Sequence, residues 1–538
     1  MGRSWFETAE RAAPWVAGLL LALPILVVRY PPMGDLAMHE ALVAILRHRN
    51  DPTWAPPGLY EVVAPQANQL FPWLAYALSF VVPTDWACKV VVAGTVLAAT
   101  PATARLLVRV HRSPWLALLA GPVACGWMFR WGLVANLTGF TVLLLALPSL
   151  ERLAVRPSRA ALVGCLVAAV VLVFAHESSA VLFGIMAGVY ALVRGRSPGG
   201  VALRMAPAFA VVALIAVQWR VSDGLLGAHM HSIGSYYGAD PGDRVAILPG
   251  AVFGGLGAAR LGVVGGLWVL AVIASALGKK RNGTGSEQPA RVLCWRGRHV
   301  ILAVLFLMLY LTFPMAMGGT TLLAHRFLPG ACACLILACA GRVRSWPVVA
   351  LAVAAPLAML GAEAKDFAKA DRSYRALDRL IALVPRNVAV AQLDLTPRPP
   401  SHVAPVPGAA SRVQAERGGR MLFAMTDTPP NPVYVPAALR WDEPMRRLAA
   451  APYAFVPALD LTRFAYVLVY DESTAMRPLV AEALAPEAEL LASEGSWALY
   501  RSRLPTEPLT TPDARVPDPL AETLASRVNR RASQTTSH

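Results

Sequence analysis

The densest chemistry in the first part of the chain lies in Gly34-Asp35-Leu36-Ala37-Met38-His39-Glu40, where an acid, an imidazole and a second acid fall within six positions. If this stretch is helical, Asp35 and His39 share one face. A carboxylate here could act as general base on a hydroxyl, or could simply cap a helix that begins at Leu36. His39 and Glu40 could line the same site or form the wet face of that helix. A second group, Phe174-Ala-His176-Glu177-Ser178-Ser179, has the composition of a short turn and sets an imidazole beside an acid. Arg244, His325 and Arg326 complete the set. A guanidinium matches phosphate geometry, so Arg244 and Arg326 suit an anion, the plain alternative being snorkelling interface anchors. For Arg326 the anion reading gains from the adjacent His325 and from Gly318-Gly319, which tighten the preceding loop. His229-Met-His231 has a spacing that can bind a metal but lacks a third ligand nearby.

The elements that must hold these residues are membrane helices. The chain has 538 residues, 56% of them hydrophobic and 15% charged, and a mean hydropathy of +0.50. A soluble fold could not hide that much apolar surface. Apolar runs predict eleven spans, near 14–30, 88–107, 114–129, 132–150, 160–175, 177–193, 205–221, 250–277, 299–317, 326–341 and 346–362. The stretch 70–83, with Trp73 and Tyr76, is too short to span and reads as a helix at the interface. The first run is followed by Arg29-Tyr30-Pro31-Pro32 without a small-residue cleavage site, which predicts a retained helix and not a signal peptide.

Charge then orients the bundle. With the N-terminus in the cytoplasm, the inner loops collect Arg105, Arg109, Arg112, Arg152, Arg156, Arg159, Arg194, Arg196 and Arg204, and later Lys279 to Arg298, Arg342 and Arg344. The net charge of +16 is therefore the bias of cytoplasmic loops, and no basic stripe or stacking motif points to nucleic acid. Counting 70–83 as a span would put the basic loops outside. In this orientation Asp35, His39, Glu40, His176, Glu177, Arg244, His325 and Arg326 all fall on the outer side, where ionisable groups at membrane depth mark a site. The seven cysteines lie mostly in apolar runs and build no disulfide framework. Walker, dinucleotide, Gly-x-Ser-x-Gly and zinc-protease motifs are absent.

The expected organisation is a membrane domain over 1–362 with an outer loop at 31–87, a small extracytoplasmic α/β or α+β domain over 363–503, and a disordered tail from 504 to 538. In the soluble part, 374–384 has helical spacing, 387–395 and 464–470 read as strands, and 489–499 reads as a hairpin around Ser493-Glu494-Gly495.

This layout, with Tyr30-Pro-Pro-Met-Gly-Asp35-Leu-Ala-Met-His39-Glu40, Leu70-Phe-Pro-Trp-Leu-Ala-Tyr76, Asn136-Leu-Thr-Gly-Phe140 and Ala415-Glu-Arg-Gly-Gly419, resembles the GT-C class of membrane glycosyltransferases. The resemblance implies an enzyme of the bacterial cytoplasmic membrane that takes sugar from a polyprenyl-phosphate-linked donor to a lipid or glycan acceptor on the outer face, among membrane lipids and without nucleic acid. It implies Asp35 as the general base, with Arg244 or Arg326 on the donor phosphate; His39, Glu40, His176, Glu177 and His325 are the further candidates for the substrate site, from their place on the outer side. Many members carry two adjacent acids in this loop, whereas this chain has Asp35 alone and Glu40 five residues on. A divalent metal held by Asp35 with His39 or His176 stays open. Two other readings remain: a transporter or flippase for a lipid-linked substrate, and a non-catalytic scaffold that keeps the GT-C layout.

Overall fold

The structure is a computed structural model that describes residues 2–529 except 64–65, 196, 227–234, 237–239, 278–289, 318–319, 340–344, 397–407, 423, 428–430, 442–447, 449–450, 512–522 and 525. His229, His231, Gly318 and Gly319 therefore lie outside the described residues, as does most of the predicted inner linker. The chain divides into two compact units.

The first unit comprises residues 1–29, 65–71 and 89–367. It holds the helices α1 (Gly2–Val27), α4 (Thr84–Arg109), α7 (Val134–Val155), α8 (Arg159–Ala175), α9 (Glu177–Arg194) and α10 (Pro198–Leu226). These are followed by α11 (Pro241–Phe253), α12 (Ala258–Leu277), α13 (Ala290–Thr312), α14 (Leu328–Cys339) and α15 (Trp346–Ile381). Seven described helices are long and apolar enough to cross a membrane, and three shorter apolar helices accompany them. The chain is a multi-pass membrane protein. Helices approach closely where small residues allow it: a Cβ on Gly18 of α1 would sit 2.4 Å from the Leu97 carbonyl of α4.

One predicted span differs in form. The run 114–129 is a 3-10 turn over Pro114–Leu119, then α5 (Ala120–Ala124) and the start of α6 (Trp127–Trp131). Broken backbone is tolerated at membrane depth only where protein supplies partners. Here the residues of the break are buried, and the Trp268 indole donates to the Leu119 carbonyl at 2.9 Å.

The second unit comprises residues 30–64, 72–88 and 368–538. It contains α2 (Leu36–His48), most of α3 (Leu70–Leu78), the end of α15 and α16 (Ser411–Arg417). Its centre is a five-stranded sheet in the order Arg420–Met421, Ala389–Asp394, Tyr466–Tyr470, Trp497–Ser502, Ala488–Glu494. The first three strands are parallel and the last two antiparallel to their neighbours. Alternation along the strands splits the core in two. Val390, Tyr466, Leu468 and Leu499 pack with Leu377 and Ile381 of α15 and Val413 of α16. Ala391, Leu393, Val467, Val469 and Tyr500 face the helix Arg477–Leu484 on the other side. This is the small α/β layer expected from the sequence.

Two expectations change here. The predicted helix at 374–384 is the end of one 36-residue helix, α15, because the residues from Glu363 to Tyr374 include neither glycine nor proline to break it. The tail is also not uniformly loose: Leu524 and Val528 are buried in the sheet's core, and Arg527 pairs with Glu487 at 3.0 Å.

Candidate active site

In the second unit, Asp35 occupies the N-cap position of α2. Its carbonyl receives the Met38 and His39 N–H groups, each at 3.1 Å, but its side chain caps nothing. The carboxyl group is thus withheld from the role that Asp ordinarily plays at a helix start. Asp35 keeps part of its surface open, yet the protein packed around it strips away water and pushes its pKa up to about 7.

The reading of His39 and Glu40 as a solvated face is corrected: every residue from Leu36 to Leu46 is buried. Burial holds the His39 imidazole neutral, with its pKa lowered to about 3. Glu40 is held by Arg412 of α16 at 2.9 Å. Arg412 also pairs with Glu416, lies 3.6 Å from the Asp378 carboxylate, and stacks over the Tyr30 ring at 4.0 Å. Tyr30 in turn donates to Asp378 at 2.6 Å. Burial alone would lower the Arg412 pKa, but these carboxylates, Glu40 foremost, raise it above the ordinary value. Glu40 therefore fastens α2 to α16 through a buried ion pair.

The same packing explains Ala415–Gly419. Gly418 and Gly419 have φ of +72° and +71°, and a Cβ on either would fall 1.9 Å from the Trp54 carbonyl or 2.1 Å from that of Val388. The Gly419 N–H donates to the Trp54 carbonyl at 2.7 Å, and Tyr60 donates to the Gly419 carbonyl at 2.6 Å. Gly408 also packs closely, with a Cβ position 2.8 Å from Met38 Cγ.

In the first unit a second polar group gathers at the α8–α9 turn. His176 Nε2 lies 3.1 Å from Arg326 Nη1, and its Nδ1 lies 2.8 Å from Ser178 Oγ. His176 is also the N-cap of α9, its Nδ1 accepting the Ser178 backbone N–H at 3.1 Å. Asn136 Nδ2 donates to the Ser178 hydroxyl at 3.0 Å. Gly139, one turn further along α7, leaves the space in which His176 sits, since a Cβ there would lie 2.6 Å from His176 Cβ. This is the structural content of Asn136-Leu-Thr-Gly-Phe140. The Glu177 N–H is received by Asn68 Oδ1 at 2.8 Å, the Trp219 indole donates to its carboxylate, and Gln69 N–H donates to the Phe174 carbonyl at 2.8 Å.

His325 and Arg244 sit apart from that network in role. The His325 ring stacks on Trp127 at 5.1 Å and meets Tyr310 edge-on at 5.5 Å. Arg244 is fully buried and gives its Nη1 to the Tyr310 and Phe313 carbonyls at 2.8 and 2.6 Å, while Tyr310 returns a hydrogen bond to the Arg244 carbonyl. These carbonyls end α13 and need donors there. Arg244 thus clamps backbone, whereas Arg326 is half-buried with one Nη on an exposed carbonyl, that of Thr321.

Further polar groups lie elsewhere in the first unit. Arg130 pairs with Asp366 at 2.9 Å and Glu363 at 3.5 Å, while Arg260 reaches the same Asp366 at 3.2 Å. At the far end of α7, Glu151 receives both Arg298 and His299, with Tyr190 donating at 2.7 Å. Among the described residues no three His, Cys, Asp or Glu side chains are grouped as a metal site.

The fold is ArnT-like. Among solved structures it matches the crystal structure of ArnT from Cupriavidus metallidurans bound to undecaprenyl phosphate, with a TM-score of 0.51 at 11% identity over 95% of this chain and 100% of that one. The apo structure of the same protein gives a TM-score of 0.40 at 11% identity, over 93% and 98%. No family model matches the sequence, and no curated protein does.

Proposed function

We propose that this protein transfers a sugar from a polyprenyl-phosphate donor to an acceptor hydroxyl at the outer face of the cytoplasmic membrane, with Asp35 as general base. The observation that carries this reading is a carboxyl group at a helix N-cap that caps nothing and titrates near neutral pH. The ionised carboxylate takes the acceptor's proton as the acceptor oxygen bonds to the anomeric carbon. The bond from that carbon to the lipid phosphate breaks, its electron pair leaves with the phosphate, and the configuration inverts. Arg326 is the group suited to the phosphate charge. His176 fixes that guanidinium, and Asn136 and Ser178 fix His176.

An apolar cavity of about 550 Å³ between α11, α12, α13 and α14 supports a lipid-linked donor. Its lining includes Leu328, two residues past Arg326, and continues to Leu335. Such a cavity suits an isoprenoid chain whose phosphate stays at the polar end. The excess of Lys and Arg in alternate loops supports a cytoplasmic N-terminus.

The test is complementation. In cells lacking this protein, wild type should restore a sugar-bearing envelope lipid or glycan detectable by mass spectrometry, and Asp35→Asn should not, at equal protein level. Restoration by Asp35→Asn would refute the proposed role of Asp35.

A further inference from the structure

The end of α2, away from Asp35, carries a feature the transfer reaction does not use. An open pocket of about 400 Å³ is lined by Arg47, His48, Arg49, Asn50, Asp51 and Tyr76. Arg47 lies in the last turn of α2 beside His48, where a cation complements the helix dipole for about 0.3–1 kcal/mol. That accounts for its sign but not for the surroundings.

Apolar side chains near Tyr76 in the chain are exposed, and one of them, Phe80, touches Arg47 and Tyr76 of the pocket. Leu74, Phe80, Val81 and Trp86 are 46%, 57%, 78% and 43% exposed. Trp73 and Tyr76 of α3 pack on Leu42, Ile45 and Leu46 of α2. Thr84 opens the apolar helix α4, so Phe80 and Val81 stand within a few residues of a membrane boundary. The pocket and its apolar rim are also built together. The Arg47 guanidinium lies over the Phe80 ring at 4.3 Å, and Tyr76 meets Phe80 edge-on at 5.1 Å. On the other wall, the His48 ring stacks on Trp54 at 4.2 Å, with Arg386 5.9 Å from the same indole. Asp51, the acid in the lining, is turned into a local bend by Thr53, whose N–H and Oγ1 bond to it at 2.9 and 2.7 Å.

We infer that this pocket binds the phosphate headgroup of an anionic membrane lipid, with Arg47 and Arg49 on the phosphate, Tyr76 and Asn50 as further hydrogen-bond donors, and the lipid chain against Phe80, Val81 and Leu74. Cationic side chains beside an exposed aromatic and aliphatic rim at the membrane boundary are what such a ligand requires. A soluble anion would use the arginines and leave four large apolar side chains in water. The site anchors the end of the helix whose other end presents Asp35, and it stands whether or not Asp35 is catalytic.

The test uses the full-length protein and native mass spectrometry, with phosphatidylglycerol and phosphatidylcholine as probes. Wild type should retain phosphatidylglycerol in preference to phosphatidylcholine. Arg47→Gln/Arg49→Gln should lose about tenfold in phosphatidylglycerol affinity, corresponding to roughly 1.4 kcal/mol, while Arg152→Gln, at the end of α7, retains it. A photo-crosslinker replacing Asn50 should label phosphatidylglycerol, and Arg47→Lys/Arg49→Lys should keep most of the binding, which guards against a folding artefact. Equal retention by wild type and the double Gln variant, equal retention of the two lipids, or protection of the crosslinker by inorganic phosphate as efficiently as by the lipid would each overturn the inference.

Discussion

Two influences act in opposite senses on the Asp35 carboxyl. The N-terminus of α2 favours its charge by about 0.3–1 kcal/mol, whereas burial disfavours the charge, and burial wins, leaving the pKa at about 7. The sign of the stability effect follows. The folded pKa lies above the unfolded value near 3.8, so the native state binds the proton more tightly between those pH values. Stability contributed by the neutral form is complete below about pH 4 and is lost as pH rises through about 7. Asp35→Asn should therefore be more heat-stable than wild type at pH 8, and the gap should close towards pH 4; thermal scans at the two pH values check this. For catalysis the dependence is inverse, and transfer should rise with pH through about 7 as the base ionises. Glu40 is a different case. Removing its charge leaves Arg412 buried with less compensation, and Glu40→Gln should destabilise the second unit by about 3–5 kcal/mol in denaturant melts. Asp35 could be singled out in the sequence because an acid directly after a span is unusual. Arg412 could not, since its partner stands 372 positions away and no local periodicity links them.

At the scale of elements, the motif glycines mark close approaches. Gly139→Val should displace His176 and Arg326 together, lowering transfer strongly while the fold persists; parallel activity and circular-dichroism measurements separate the two effects. Gly418→Ala should instead fail to accumulate, because φ of +72° and a contact 1.9 Å from the Trp54 carbonyl leave no room to adjust, and protein level in membranes reports it. Apolar runs located most helices because length and hydropathy are local properties. The break at 114–131 was not legible, since its buried carbonyl is satisfied by Trp268, 149 residues further on. The burial of α2 was missed for the same reason: its spacing suits a half-exposed helix, and distant residues, among them Arg412 of α16, Val433 and the aromatic residues of α3, close over it.

At the scale of the molecule, a helical membrane unit and an α/β unit that incorporates the first loop after α1 make up the chain. Composition was enough to find the membrane part and the strand pattern enough to find the sheet. Tertiary partners add what the sequence does not carry: Arg244 bonds to backbone carbonyls, Glu40 pairs with Arg412, and the Asp35 side chain caps nothing. The central claim is that Asp35 deprotonates an acceptor during transfer from a lipid phosphate. The direct measurement is transfer by purified protein in vesicles, offered a panel of undecaprenyl-phosphate sugars and an envelope lipid extract, across pH 5 to 9, for wild type and Asp35→Asn. The account predicts sugar transfer by wild type that rises through about pH 7 and a loss of about a thousandfold or more in the variant with donor binding retained. Transfer by Asp35→Asn at a comparable rate, or a wild-type rate flat across pH 7, would contradict it.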